Sequence, residues 1–248
     1  MLAIITGASS GIGKELAYRL AQRKYDLVLI ARREDRLIEM KKDFEQYKIN
    51  IEVLPLDLSK MSSCKNLIEY LKDKDVSLFV NNAGFGLYGE TQESNTDKEF
   101  NMLDLNVRTL HFLTKEIANI MKNGTIINIS SMAAFLPTPL LSSYAASKAY
   151  VYSFSQAFGY ELKRKSIPIN IMTVCPGPVK TEFNSVANAD PKMKGLSVSK
   201  CVNSIMNGLD RKKSLVIPGF QMKVLRFLIR FTPNWLLLKA SYRIQSQK

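Results

Sequence analysis

Histidine is almost absent from this sequence of 248 residues, and its scarcity argues against one class of enzyme. The chain contains the pattern G-x-S-x-G through Gly7, Ser9 and Gly11, which is the signature of a hydrolase nucleophile elbow. A serine nucleophile of that class needs a histidine partner. The single histidine, His111, lies in an apolar helical pattern, so we interpret the match as accidental.

Cysteine is also scarce. The three cysteines, Cys64, Cys175 and Cys201, have neither metal-ligand spacing nor the even count of a disulfide framework, so we expect no metal site. A strand-like run begins at Leu2 and leaves no room for a signal peptide. From these features we expect a cytoplasmic protein.

Acidic residues are missing from the C-terminal part of the chain. No Asp or Glu follows Asp210, and nine cationic residues lie beyond it: Arg211, Lys212, Lys213, Lys223, Arg226, Arg230, Lys239, Arg243 and Lys248. Apolar runs also stay shorter than the ~20 residues of a membrane span. We predict a basic, amphipathic helical extension at about 220–248, whose second helix starts near Thr232-Pro233.

This extension has three possible roles: it covers a substrate pocket or a dimer interface, it lies on an anionic membrane surface, or it receives an acidic substrate carrier. The first is favoured, and we expect a homodimer or homotetramer with peripheral membrane contact as the second reading. Charge without a reading motif does not predict nucleic acid binding. The net charge of +13 otherwise has no explanation in the predicted core.

Apolar strand-like runs alternate with helical stretches from end to end. We predict strands near 2–6, 26–31, 51–56, 77–81, 124–130, 168–174 and 214–217. Continuous runs such as Leu27-Val28-Leu29-Ile30 suit strands buried on both faces. The pattern predicts an α/β fold of the Rossmann type, a doubly wound parallel sheet of about seven strands in a single domain over 1–248.

A glycine-rich turn follows the first predicted strand. It reads Gly7-x-x-x-Gly11-x-Gly13 and precedes a helical pattern, an arrangement that lets backbone amides approach a pyrophosphate. The spacing differs from the common G-x-G-x-x-G fingerprint. Glu15 stands where an ATP-type loop needs Ser or Thr, so nucleotide hydrolysis is not expected.

Tyr144 and Lys148 are four positions apart, so they share one face of a helix. An ammonium beside a phenol favours the phenolate, and we therefore expect Lys148 to lower the pKa of Tyr144 from its ordinary value of roughly 10. This pairing indicates acid/base chemistry.

Six motifs together resemble the classical short-chain dehydrogenase/reductase family over roughly residues 2–181. They are Thr6-Gly7-x-x-x-Gly11-x-Gly13, Asn81-Asn82-Ala83-Gly84, Asn106, Asn128-Ile129-Ser130-Ser131, Tyr144-x-x-x-Lys148 and Pro176-Gly177-x-Val179-x-Thr181. The resemblance implies a nicotinamide cofactor and hydride exchange with a carbonyl or alcohol. It assigns Tyr144 as proton donor or acceptor, Lys148 to the nicotinamide ribose, Ser131 to the substrate oxygen, and Asn106 to a helix kink in a proton relay.

The resemblance also implies a set of cofactor-binding residues. They are Gly7, Ser9, Ser10, Gly11, Ile12, Gly13, Arg32, Arg33, Asp57, Leu58, Asn82, Ala83, Gly84, Tyr144, Lys148, Pro176, Gly177, Val179 and Thr181. Arg32 and Arg33 follow the second strand, where an acidic residue would favour NAD, and their guanidinium groups can bind a 2′-phosphate. NADP(H) is therefore favoured over NAD(H), although Ser10 is not the basic residue found in some relatives.

The substrate is predicted only as a class. Phe85-Gly86-Leu87-Tyr88-Gly89 and Phe135-Leu136 lie beside the predicted site and suggest an apolar ketone, such as a 3-oxoacyl or steroid-like compound. We predict a lid over residues 182–200 that includes Phe183, Met193 and Leu196. Two alternatives stay open: a non-catalytic NADP-binding regulator or scaffold, and an NAD-dependent dehydrogenase.

Overall fold

One parallel β-sheet organises the chain. A computed structural model describes residues 1–183 and 195–246, and its strands lie in the order β3-β2-β1-β4-β5-β6-β7. Their bounds are Leu2–Thr6 (β1), Asp26–Ala31 (β2), Ile51–Pro55 (β3), Val76–Asn81 (β4), Gly124–Ile129 (β5), Ile169–Val174 (β6) and Leu215–Val216 (β7). All seven predicted strands form, and the predicted Rossmann-type fold is confirmed.

Helices connect the strands. They are α1 Gly11–Gln22, α2 Glu34–Phe44, α3 Met61–Leu71, α4 Thr96–Leu103, α5 Leu110–Ile120, α6 Ser142–Arg164, α7 Val198–Asp210, α8 Phe220–Ile229 and α9 Asn234–Gln245. A π-helical segment, Asp104–Thr109, lies between α4 and α5, and a short 3₁₀ helix, Met132–Phe135, follows β5. The last predicted residue of the basic extension, Lys248, and the predicted lid residue Met193 lie outside the described residues.

Alternate residues of each central strand point to opposite faces of the sheet, and both faces are buried. Ala3 and Ile5 pack in one hydrophobic cluster, which includes residues of α1, α2 and α7. Ile4 packs in a second cluster on the other face, with residues of α3 and α5. Because both faces are covered, the strands are continuously apolar instead of alternating with polar residues.

The strand order changes direction at β1, which lies between β2 and β4. The carboxyl ends of β1 and β4 therefore border the crevice where ligands bind in open α/β sheets. Gly7 follows β1 directly, and Asn82 follows β4. The topology thus brings the glycine-rich turn and the Asn81-Asn82-Ala83-Gly84 motif to one edge of the sheet.

Candidate active site

The glycine-rich turn between β1 and α1 is packed so closely that larger residues do not fit. A Cβ atom on Gly13 would lie 2.4 Å from the carbonyl oxygen of Gly7 and 2.5 Å from Nδ2 of Asn82. Gly7 itself has a φ of +64°, in the left-handed region that favours glycine. The turn therefore leaves its backbone open to a ligand at the start of α1, while the side chain of Ile12 packs on the core below.

Two polar side chains hold this turn against the end of β4. The Thr6 hydroxyl donates to the carbonyl of Val80 at 3.1 Å and accepts from the backbone N–H groups of Asn82 and Ala83, each at 3.0 Å. The Asn82 amide donates to the carbonyls of Thr6 and Gly7, each at 3.0 Å. The Asn82 side chain is thus directed at the turn itself, where it positions the backbone.

Asn106 lies in the π-helical segment and is fully buried. Its amide donates to the carbonyl of Phe85 at 2.9 Å and to the Ser147 hydroxyl at 3.2 Å, and its Oδ1 accepts from the Phe85 N–H at 3.2 Å. A Cβ on Gly84 would lie 2.7 Å from that Oδ1 and 3.4 Å from Nζ of Lys148. The helix distortion, the Gly84 turn and Lys148 therefore meet at one point.

Tyr144 and Lys148 lie on the buried face of α6. Nζ of Lys148 is 5.7 Å from the centre of the Tyr144 ring and donates to the carbonyl of Ile129, the last residue of β5, at 3.0 Å. Ser131 lies just beyond β5, and its hydroxyl is near enough to Tyr144 to favour the phenolate. The structure thus brings Ser131, Tyr144 and Lys148 together from two different elements.

Burial is the main cause of the pKa shifts of Tyr144 and Lys148. It raises the pKa of Tyr144 to about 12, and the nearby Ser131 hydroxyl opposes this increase. It lowers the pKa of Lys148 to about 8. The expected decrease in the pKa of Tyr144 is wrong for this structure, because desolvation of the buried phenol raises its pKa, while the Lys148 ammonium donates to the Ile129 carbonyl. At neutral pH the phenol is protonated and the amine is mostly charged.

The neighbouring Ser130 has a different role from Ser131. Its hydroxyl donates to the backbone carbonyl of Lys148 at 2.7 Å, so it ties β5 to α6. The buried thiol of Cys175 lies near this serine and has a pKa raised to about 12 by burial. Cys175 is therefore a neutral group in the wall of the site.

The predicted phosphate-binding arginines differ in their surroundings. Arg33 donates from Nε and Nη2 to the Ser9 hydroxyl, at 3.2 and 3.1 Å, and from Nη1 to Glu182 at 2.8 Å. Arg36, one turn into α2, donates to the same carboxylate at 2.6 Å. Arg32 is exposed to solvent. Arg33 thus reaches the glycine-rich turn directly.

Asp57 and Leu58 follow β3, and both have intramolecular partners. Oδ1 of Asp57 accepts from the N–H and the hydroxyl of Ser59, at 3.2 and 2.9 Å. The side chain of Leu58 is buried, and its carbonyl accepts from Thr109 at 2.5 Å. Leu58 therefore presents little of its side chain to a cofactor.

The segment after β6 forms the opposite wall. The Pro176 carbonyl accepts from the N–H of Met132 at 2.8 Å, and a Cβ on Gly177 would meet Sδ of Met222 at 2.4 Å. Val179 forms a parallel bridge with Leu196. Thr181 lies beside Gly11, where a Cβ on that glycine would be 3.1 Å from Cγ2 of Thr181. The segment therefore closes over the glycine-rich turn.

Several residues at the site escaped the sequence analysis. Phe183 was assigned only to a lid, yet its ring lies 5.3 Å from that of Tyr144. Met222 of α8 lies against Gly177. Arg36 and Glu182 form the ion pairs beside Arg33. Arg33 and Arg36 are three positions apart, and this spacing could have suggested a shared partner. The contact of Arg33 with Glu182 could not be predicted, because the two residues are distant in the sequence.

Comparison with known proteins agrees with the resemblance that the six sequence motifs indicate. The family model described as short chain dehydrogenase matches residues 1–192. The chain belongs to this family. Its members are oxidoreductases that act on CH–OH or C=O groups. A solved short-chain dehydrogenase from Sphingobium yanoikuyae in complex with NADPH is 30% identical, with a TM-score of 0.84 over 88% of each chain.

Two curated relatives differ in what their names state. The chain is 36% identical over 194 residues to the "Inactive hydroxysteroid dehydrogenase-like protein 1" of Homo sapiens, covering 75% of this chain and 58% of that protein. It is 33% identical over 183 residues to the "Very-long-chain 3-oxoacyl-CoA reductase" of Kluyveromyces lactis, covering 68% and 53%. The chain thus spans a little over half the length of these relatives.

Proposed function

We propose that this protein is an NADP(H)-dependent oxidoreductase that exchanges hydride with an apolar carbonyl or alcohol. The observation that carries the proposal is the convergence of Ser131, Tyr144 and Lys148 beside the glycine-rich turn. A proton donor, a hydroxyl that orients the substrate oxygen and a cation are the groups that carbonyl reduction requires. Ser131 comes from the segment just after β5, and Tyr144 and Lys148 come from α6.

The residues of the site fit a dinucleotide. The glycines at 7, 11 and 13 form a turn that a Cβ atom would fill. The first backbone amides of α1, which follow this turn, suit a pyrophosphate. Lys148 would hold the nicotinamide ribose from its position beside Gly84.

Arg33 supports NADP(H) over NAD(H). Its guanidinium already contacts Ser9 in the glycine-rich turn, and Arg36 lies on the same side of the site. Two guanidinium groups can form paired, charge-assisted hydrogen bonds with a 2′-phosphate. Proteins that bind NAD often have an acidic side chain after the second strand, where it accepts hydrogen bonds from the ribose hydroxyls. This chain has Arg32 there.

The chemistry of the side chains follows from their protonation. The nicotinamide cofactor supplies the hydride when bound. Tyr144, protonated at neutral pH, donates its proton to the substrate oxygen, and Ser131 positions that oxygen through its hydroxyl. The nearby charge of Lys148 then stabilises the phenolate that remains. In the oxidising direction the phenolate form of Tyr144 accepts the proton.

Apolar groups around Tyr144 support an apolar substrate. The Phe183 ring packs against Tyr144 and approaches Gly86, and Met222 borders Gly177 on the opposite wall. Phe135 lies in the same hydrophobic cluster as Met222. A 3-oxoacyl or steroid-like carbonyl compound fits such a lining better than a small sugar does.

A non-catalytic cofactor-binding protein is the second candidate, because one relative carries the word inactive in its name. The intact set of Ser131, Tyr144 and Lys148 favours turnover in this chain. An enzyme and a non-catalytic protein would have the same fold, and both would bind NADPH. They differ only in whether bound NADPH is oxidised in the presence of a carbonyl.

A panel of apolar and polar carbonyl compounds, followed by NADPH absorbance, tests the proposal, with NADH in parallel. We expect oxidation of NADPH with apolar ketones and a loss of about 10²–10⁴-fold in kcat for Tyr144→Phe, which should still bind NADPH. Tight NADPH binding without turnover of any compound would support the non-catalytic reading. Turnover of sugars alone would overturn the apolar substrate, and faster oxidation of NADH would overturn the cofactor preference.

A further inference from the structure

Most of the large hydrophobic side chains that are exposed in the described part of the chain lie in α8 and α9 or between them. Of the sixteen exposed large hydrophobic side chains in the described part of the chain, eleven lie in residues 220–244. They are Phe220, Val224, Leu225, Phe227, Leu228, Phe231, Trp235, Leu236, Leu238, Tyr242 and Ile244. We call this set the C-terminal surface. Isolated exposed apolar residues are ordinary, but a contiguous sequence of them marks an interaction site.

The opposite side of the two helices is anchored on the domain. Met222 and Ile229 of α8 and Leu237 of α9 pack in a cluster with Met132 and Phe135. The Arg226 guanidinium lies 4.7 Å from the centre of the Phe135 ring and donates to the Tyr152 hydroxyl at 3.1 Å. Because these inner contacts fix the helices, the outer residues are held away from the core and stay exposed.

The charge of this region has one sign. No acidic residue follows Asp210. Four cations are exposed on the two helices or directly after α8: Lys223, Arg230, Lys239 and Arg243. Trp235 is 67% exposed at the start of α9. Exposed aromatic and aliphatic side chains interspersed with Lys and Arg are the composition of helices that lie in a membrane interface.

We propose that the C-terminal surface binds the surface of an anionic lipid bilayer, with α8 and α9 lying in its plane. A bilayer accepts apolar side chains into its boundary region, and acidic headgroups attract the surrounding cations. The two helices, of 10 and 12 residues, are too short to cross. Within residues 1–183 and 195–246, no helix has the length and hydrophobicity of a membrane span.

A second copy of the chain fits this surface less well. Dimers are commonly two-fold symmetric, so the same patch would face itself. Lys223, Arg230, Lys239 and Arg243 of one copy would then approach the same four cations of the other, without an acidic residue from either C-terminal region to compensate. Like charges at an interface oppose association, whereas acidic lipids neutralise them.

The membrane surface would lie next to the candidate active site. Met222 borders Gly177, and the Tyr88 hydroxyl donates to the carbonyl of Gln245 at 2.5 Å. The loop after β4 and the segment after β6 are thus both in contact with the C-terminal helices. The inference about lipid binding does not depend on the proposed reaction, and its test does not use turnover.

Flotation of the full chain with vesicles tests the proposal. We expect binding to vesicles of phosphatidylcholine with phosphatidylserine and little binding to phosphatidylcholine alone. The double variant Lys239→Gln/Arg243→Gln should weaken binding by about 30-fold, since each surface cation contributes to attraction by anionic lipid. The double variant Phe227→Ser/Trp235→Ser should reduce it by at least about tenfold.

Matched controls replace exposed aromatic residues elsewhere. Phe100 and Tyr160 are 60% and 66% exposed, so Phe100→Ser and Tyr160→Ser should bind vesicles as the unchanged protein does. Circular dichroism and the thermal midpoint verify that every variant is folded. Absence of vesicle binding by the unchanged protein would overturn the proposal. Concentration-dependent self-association abolished by Phe227→Ser/Trp235→Ser, without vesicle binding, would instead assign the surface to a second copy.

Discussion

Arg33 and Glu182 form an ion pair at 2.8 Å across the edge of the candidate cofactor site. The same carboxylate accepts from Arg36 at 2.6 Å, and these two guanidinium groups lower the pKa of Glu182. A 2′-phosphate that binds Arg33 would have to share its guanidinium with that carboxylate or displace the carboxylate. Glu182 is therefore placed to reduce the affinity for NADPH without affecting NADH.

We predict that Glu182→Gln strengthens NADPH binding by up to about fivefold, because an exposed ion pair contributes no more than about 1 kcal/mol. The Kd values for NADPH and NADH, measured by fluorescence titration, check this. NADH affinity should not change. Asp210→Asn, which removes a comparable pair with Arg23 at 2.6 Å, is the matched control and should leave both Kd values unchanged. A decrease in NADPH affinity in Glu182→Gln would contradict the prediction.

Gly13→Ala tests the packing of the glycine-rich turn. The added methyl group would clash with the Gly7 carbonyl and the Asn82 amide, so the turn must move. We expect the Kd for NADPH to increase by about tenfold or more, together with a lower thermal midpoint. Gly159→Ala in α6, where the nearest atom is on Ile171 at 3.3 Å, should retain NADPH affinity. Equal affinities in the two variants would show that the turn does not bind the dinucleotide.

Lys148→Met should change the pH dependence of stability in the cofactor-free protein. The pKa of Lys148 is lowered to about 8 in the fold, so between that pH and its ordinary value of 10.5 the unfolded chain binds more protons. The contribution of this lysine to the free energy of unfolding therefore rises with pH in that interval. The cost of burying the charged form is greatest below pH 8.

We accordingly expect Lys148→Met to unfold with a higher free energy than the unchanged protein at pH 7, by about 2–3 kcal/mol. The difference should shrink as the pH rises from 8 and become smallest above pH 10.5, where the lysine is neutral in both the folded and the unfolded chain. Urea unfolding at several pH values measures it. A difference that stays constant with pH would mean that the lysine's pKa is not lowered.

Asn128 is the centre of a buried polar network between the sheet and its helices. Its Oδ1 accepts from Asn81 at 2.9 Å and from Thr114 at 3.1 Å, and its Nδ2 donates to Ser155 at 2.8 Å. Asn128→Ala would leave three buried groups without this partner, and we predict a loss of about 3–5 kcal/mol in the free energy of unfolding. Ser155→Ala removes one bond and should cost about 1–2 kcal/mol. Similar urea midpoints for the two variants would refute the central role of Asn128.

Some of the protein could be predicted from local patterns. The seven strands end within one residue of their predicted bounds, since strands buried on both faces are continuous apolar runs between helical stretches. The turn from Gly7 to Gly13 and the pair Tyr144 and Lys148 were recognisable because their function depends on spacing within one element. For the same reason the basic, apolar character of α8 and α9 was visible before their packing was known.

Other features of the site depend on contacts between residues that are distant in the sequence, and only the tertiary structure determined them. Only the fold brings Glu182 to Arg33, Phe183 over Tyr144 and Met222 against Gly177. It also reversed the expected pKa shift of Tyr144, because desolvation is a property of the assembled core and cannot be read from a lysine four residues away. Sequence spacing determined which chemical groups share a helix face or a turn, whereas burial and long-range packing determined their charge states and their partners.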